Sequence, residues 1–170
     1  MMRYSVRRFT FIAPLVVAIS FLTISLRPAM PGGKSSANSP APVAQFCNSG
    51  SITINALAAA SPYPSTLAVS GMTGTITAVT VTLNNFNHTF PDDVDILLVA
   101  PGGQNAIIMS DVGGGVAATN VTLTLDDAAG SSLPNETALT SGTFKPTNFE
   151  GVEGFPAPAP APSGGSALSA

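Results

Sequence analysis

"NHTFPDDVDILLVAPGG", residues 87–103, holds the only histidine of the chain, His88, and three of its nine carboxylates, Asp92, Asp93 and Asp95. The stretch opens in a polar turn, becomes an apolar strand and stops at Pro-Gly-Gly. Val94, Ile96, Leu98 and Ala100 recur at the strand period of two, so they share one face of that strand. Gly102-Gly103-Gln104 is then a hairpin-length connection into "NAIIMSDV", residues 105–112.

The flanking sequence continues in the same manner. "SITIN" (51–55) and "STLAV" (65–69) are short strand candidates, and "GTITAVTVTLNNF" (74–86) is the longest. In the long one, Ile76 and Ala78 have one parity and Val79, Val81 and Leu83 the other. This phase slip predicts a bulge or bend near Ala78–Val79. "NVTLTLDD" (120–127) alternates cleanly, with Val121, Leu123 and Leu125 inward and Thr122 and Thr124 outward. Beyond residue 34 no stretch combines a helical period with caps. Short strands separated by Gly, Asn, Asp and Pro predict an all-β chain, an antiparallel β-sandwich or jelly roll.

The first 26 residues read differently. Arg3, Arg7 and Arg8 precede an uncharged 18-residue run from Phe9 to Leu26. A basic segment before an apolar one predicts an export signal or an N-terminal membrane anchor over residues 1–27. Small-x-small cleavage motifs, Ser35-Ser36-Ala37 and Ser39-Pro40-Ala41, lie well beyond the run. Residues 28–45 are Pro/Ser/Gly-rich and read as a linker, 46–150 as the sandwich, and 151–170 as a Pro/Ala/Gly-rich tail with polyproline II character. The expected location is secreted or extracytoplasmic, with membrane contact only through residues 9–26.

Charge narrows the partners. From Gln45 onward Lys145 is the single positive side chain against nine carboxylates, a formal −8 that the whole-chain value of −3 conceals. Such a body repels phosphate backbones, so nucleic acid is not an expected partner. Cys47 is the only cysteine, which rules out an intrachain disulfide. With one histidine and one cysteine, only carboxylates could complete the usual zinc ligand set, so zinc is not expected. The chain also lacks a Gly-x-Ser-x-Gly elbow, so no catalytic residue is assigned. Asp92, Asp93 and Asp95 remain as a candidate calcium site, because calcium takes carboxylate and carbonyl oxygens from loops. The plainer reading of the same residues is that they cap turns and keep strand edges soluble.

At this stretch the chain resembles the P domain, or Homo B domain, of subtilisin-like proprotein convertases. That pattern is a histidine followed by Asp-Leu-x-Ile-x-Leu-x-x-Pro-x-Gly. His88, Asp93, Ile96, Leu98, Pro101 and Gly103 occupy its places here. The resemblance spans roughly residues 46–150 and implies a jelly roll related in shape to galactose-binding modules. It further implies a noncatalytic accessory role that stabilises or binds another protein domain or a cell-surface component. The chain departs from the family in two ways: it holds no subtilisin-like catalytic domain, and it has no Trp where the family closes with Trp-bearing strands. A sandwich incomplete at its C-terminus is therefore expected, with "NAIIM" or "NVTLTL" as a bare edge. Two further readings are a carbohydrate-binding jelly-roll module and a fragment of a larger secreted subtilisin-like protease. The first is disfavoured by the lack of Trp and the presence of only Tyr4 and Tyr63.

Overall fold

The computed structural model describes residues 2–7, 17–19, 21–28, 43–55, 58–72, 75–161 and 165–168. The linker sequence 29–42, with its cleavage motifs, lies outside the described residues, as does much of the apolar run from Phe9.

The longest strand, β7 (Ile76–His88), is the centre of one sheet. On one side it pairs antiparallel with β10 (Ala118–Asp126) and on the other with β3 (Phe21–Pro28). Its Val-Thr-Val-Thr-Leu run suits a pleated, half-buried surface, since β-branched side chains pack well there. Val81 and Leu83 are buried, and so are Phe86 and His88, which have the opposite parity. A phase change that the alternation did not signal therefore falls at Asn84–Asn85. Asn85 takes a left-handed φ of 52°, and the ladder to β10 slips at this point, with Leu123 opposite Leu83 but Val121 opposite Phe86. Asparagine tolerates that backbone better than a β-branched residue would. The slip expected near Ala78–Val79 is also present, beside Ala78: Arg27 of β3 pairs with Ala78 and Pro28 with Ile76, so Thr77 is the extra residue.

This sheet runs β11-β10-β7-β3-β4, with β4 at Ala44–Asn48 and β11 at Gly142–Phe144. The facing sheet runs β12-β9-β8-β1-β6, where β8 is Asp95–Val99, β9 Asn105–Ser110, β12 Thr147–Asn148, β1 Met2–Arg7 and β6 Ser65–Leu67. A small pair, β2 (Val17–Ile19) and β5 (Ile52–Ile54), completes the strands among the described residues. Ile24, Leu26, Val81, Phe86, Leu123 and Leu125 of the first sheet share one core with Ile96, Leu98, Ile108 and Leu67 of the second. The molecule is an all-β sandwich with mixed sheets.

Three expectations change at this level. The sheets are not wholly antiparallel, because β11 runs parallel to β10 and β12 parallel to β9. As a result neither "NAIIM" nor "NVTLTL" is an edge: the segment 142–148 returns beside both strands and pairs with them. The C-terminal tail is also not peripheral to packing. Leu97, Val99 and Ile107 point away from the main core, and Phe155 and Ala159 of the tail pack over them. The Tyr63 hydroxyl donates to the Pro156 carbonyl at 2.6 Å, and the Ile107 amide donates to the Gly165 carbonyl at 3.1 Å. Every residue of β8 is consequently buried.

Parts of residues 1–27 are strands. Their Val, Ile, Phe, Leu and Thr content gives β propensity as readily as it gives an apolar export segment. Among the described residues no helix is long and apolar enough to cross a membrane.

Phe86 and Phe155 offer a graded test of these layers. Phe86 is fully buried and Phe155 half-buried. Denaturant unfolding should show Phe86→Ala costing about 3–5 kcal/mol, and Phe155→Ala roughly a third of that. Equal stability of Phe155→Ala and the unsubstituted chain would mean the tail does not pack on β8 and β9.

Candidate functional site

A single 3-10 turn, Pro91–Asp93, links β7 to β8. Pro91 takes its first position, where a missing N–H costs nothing, and the Val94 amide donates back to the Pro91 carbonyl at 2.9 Å. Upstream of the turn, His88 is only 2% exposed and its Nδ1 lies 2.7 Å from the Phe90 carbonyl oxygen. Only an Nδ1–H tautomer can donate across that distance, which excludes Nδ1 as the acceptor of the Phe90 amide at 3.2 Å. His88 thus pins the corner where β7 leaves the sheet.

Asp95, at the start of β8, is 4% exposed, and Ser110, at the end of β9, is fully buried. The Ser110 Oγ lies 2.8 Å from Asp95 Oδ1 and 2.8 Å from Asp111 Oδ2. A hydroxyl has one proton, so it donates to one carboxylate at a time. Asp111 itself has a left-handed φ of 52°, and its Oδ2 also accepts from the Glu150 amide at 3.3 Å. The antiparallel β8–β9 hairpin thereby brings the two carboxylates together, and the segment after β12 adds a third.

These groups line one cleft of about 440 Å3, formed by Asp92, Asp93, Asp95, Asp111, Glu150 and Glu153 with Val152. Burial holds the Asp92 carboxyl above its ordinary value, and the negative charges of Asp111, Glu136, Asp93 and Glu150 raise it further. Glu136 reaches this neighbourhood through a tight glycine turn. Gly113 has a φ of 81°, and a Cβ there would come within 2.8 Å of the Leu139 side chain. Any larger residue would push the 134–139 loop away.

The sequence-derived residues therefore fall into two groups. Asp92, Asp93 and Asp95 meet at the cleft, joined by Asp111, Glu150 and Glu153. Among the described residues no three His, Cys, Asp or Glu side chains are close enough to hold one metal ion as they stand. Ile96 and Leu98 are core residues, and Pro101 and Gly103 form the turn at the far end of β8, Gly103 with a φ of 89°. Asp111 ends the strand that follows the Gly102-Gly103 turn, so antiparallel pairing returns it to the start of β8, with a one-residue slip between Ile96 and Leu97. Glu150 and Glu153 carried no local signal.

The chain matches no family model, no curated protein and no solved structure.

The raised Asp92 carboxyl makes a signed prediction. A folded state that holds this proton more tightly than the unfolded chain gains stability at pH below the ordinary value of 3.8. That gain is lost as pH rises through the raised value, and at neutral pH the ionised group is a cost. Asp92→Asn should raise the melting temperature at pH 7 by roughly 1–2 °C, the scale of a solvent-screened surface charge. The gain should vanish below the ordinary carboxyl range. A variant less stable than the parent at pH 7 would mean that Asp92 is held by an attractive partner.

Proposed function

We propose that this chain is a noncatalytic, extracytoplasmic β-sandwich module of the convertase P-domain kind. On this reading it serves as an accessory that binds a partner protein domain or cell-surface component through its acidic cleft. One observation carries the reading: the motif's histidine is committed to structure, while six carboxylates, the motif's Asp93 among them, line one accessible cleft. His88 is buried against the Phe90 backbone, and Asp95 is buried against Ser110. A nucleophilic site needs a base poised beside a nucleophile with room for a substrate, and this histidine lies in a packed corner.

The cleft also indicates the partner's chemistry. Val152 is 81% exposed within it, and Phe149 and Phe90 are exposed close by in sequence to its acidic residues. Acidic groups interspersed with apolar ones suit a Lys- or Arg-bearing segment that also carries apolar side chains. A sugar-binding role lacks comparable support. Tyr63 is half-buried with its hydroxyl committed to Pro156, so it is not a stacking platform.

Calcium is the second reading, favoured by the six carboxylates and by the single proton of Ser110 shared between two of them. A divalent cation would relieve their mutual repulsion. Ligation would require the cleft to close, since no three acidic groups are near enough in the described structure.

Titration of the full chain with a fluorescent Lys/Arg-rich peptide tests the main reading. Saturable binding should weaken steeply as salt rises from about 0.05 to 0.5 M and should fall at least tenfold in the Asp111→Asn/Glu150→Gln variant. Binding that ignores this substitution removes the cleft as the partner site. If calcium binds, millimolar calcium raises the melting temperature by mass action and competes with the peptide, and Asp93→Asn blunts both effects. An unchanged melting temperature in calcium discards the second reading alone.

A further inference from the structure

The two five-stranded sheets end at β11 and β4 and at β12 and β6. Three of these outer strands are only two or three residues long. The fourth, β4, has five residues and runs in continuous register along β3, from Ala44 opposite Leu26 to Asn48 opposite Leu22. Among the described residues no strand or loop backbone pairs with its other side. Proteins keep such an edge from pairing by making it short, bulged, proline-bearing or charged. Ala-Gln-Phe-Cys-Asn has none of these devices. The edge is also held in place. Asn48 Nδ2 donates to the buried Ser65 Oγ of β6 at 2.9 Å, and its Oδ1 accepts from the Gly50 amide at 2.9 Å. A fixed strand offers its free backbone groups without a further ordering cost.

Charge selects what pairs there. No Lys, Arg, Asp or Glu occurs between Lys34 and Asp92, so β4 and its neighbour β6 are both uncharged, while all nine carboxylates of this net-negative chain lie on other elements. A charged partner finds nothing to pair with at this edge, and a second copy meets no like charge. We infer that β4 is a self-association edge, at which two copies pair antiparallel about a two-fold axis at Phe46 and continue one sheet into the other. That register sets Ala44 opposite Asn48 and Gln45 opposite Cys47 at both ends, so five residues meet five with none left over. Phe46 is half-buried against the core at this open side, and the partner's Phe46 covers what remains exposed. Aromatic pairs directly across an antiparallel ladder are favourable. Gln45 and Cys47 are exposed on the opposite face of the strand. The inference does not depend on the acidic cleft, and its test reads a different surface.

Sedimentation of the full chain over a concentration series tests this. A small edge-to-edge interface should give a monomer–dimer equilibrium, with dimer predominant by about 0.1 mM. Its constant should change less than twofold between about 0.05 and 0.5 M salt, since no charge lies in the edge; peptide binding in the cleft should weaken over the same range. Gln45→Lys/Cys47→Lys places lysines opposite one another at both ends of the ladder and should weaken the dimer at least tenfold. Both side chains are exposed, so the variant should keep the parent's cooperative unfolding transition. Cys47 gives a second readout that needs no such variant. In the inferred register the two Cys47 residues are diagonal neighbours on one face, roughly 7–8 Å apart, within reach of a short bismaleimide. Cross-linked dimer should rise with concentration in step with sedimentation, and Cys47→Ser should lose the cross-link while keeping the dimer. A monomeric mass at every concentration overturns the inference. So does a folded lysine variant that dimerises as tightly as the parent, or a dimer in which Cys47 does not cross-link.

Discussion

The structure depends on the change of face within β7. One strand must present Val81 and Leu83 and then, after one extra residue, Phe86 and His88 to the same core, while staying bonded to β10 and β3. A strand of strict period two would turn Phe86 outward and carry His88 with it. The bulge at Asn84–Asn85 prevents this by spending one left-handed residue. Its counterpart on β10 is Asn120, also left-handed, whose amide donates to the Asn87 side chain at 2.8 Å. That pairing of asparagines sets where β7 ends, and so where the corner of His88, Phe90 and Pro91 begins.

The acidic cleft follows from that corner. With His88 buried and Pro91 starting the turn, Asp92 and Asp93 must emerge at the mouth of β8, and Asp95 must enter it buried. The β8–β9 hairpin delivers Ser110 and Asp111 to the same end, and β12, parallel to β9, delivers Glu150 and Glu153. Burial, together with the like charges gathered in this way, raises the Asp92 carboxyl and carries a cost to stability. A cost of this kind is typical of surfaces kept for binding. It links the architecture to the accessory role proposed for the module.

Much of this was legible in the sequence, for identifiable reasons. The alternation of Val121, Leu123 and Leu125 placed β10 correctly, because half-buried strands announce themselves by period two. Gly102-Gly103 marked the hairpin, since only glycine takes the positive φ found at Gly103 without strain. The change of parity at Ala78–Val79 signalled the slip against β3 beside Ala78, whereas the bulge at Asn84–Asn85 was hidden because two asparagines read as an ordinary polar surface. The tail's packing on Leu97 and Val99 was hidden, as Ala-Pro repeats give no sign of what they cover. Leu97 and Val99 were themselves the clue, since an apolar run on both parities needs covering on both faces. The strand role of Phe21–Pro28 was masked by its second identity as an apolar, Arg-preceded segment. The cleft was half legible: Asp92, Asp93 and Asp95 are neighbours in sequence, but Glu150 and Glu153 arrive only through a parallel pairing that no local pattern encodes.

Residue-resolved hydrogen exchange of β7 in the full chain tests the central claim most directly. Alternate amides of this strand point toward β10 and toward β3, and both sets should exchange among the slowest in the protein, with Asn84–Asn85 as a local gap in protection. Slow exchange only on the β10-facing set, with the β3-facing amides exchanging at the rate of loop residues, would contradict the account, because β7 would then be an edge strand.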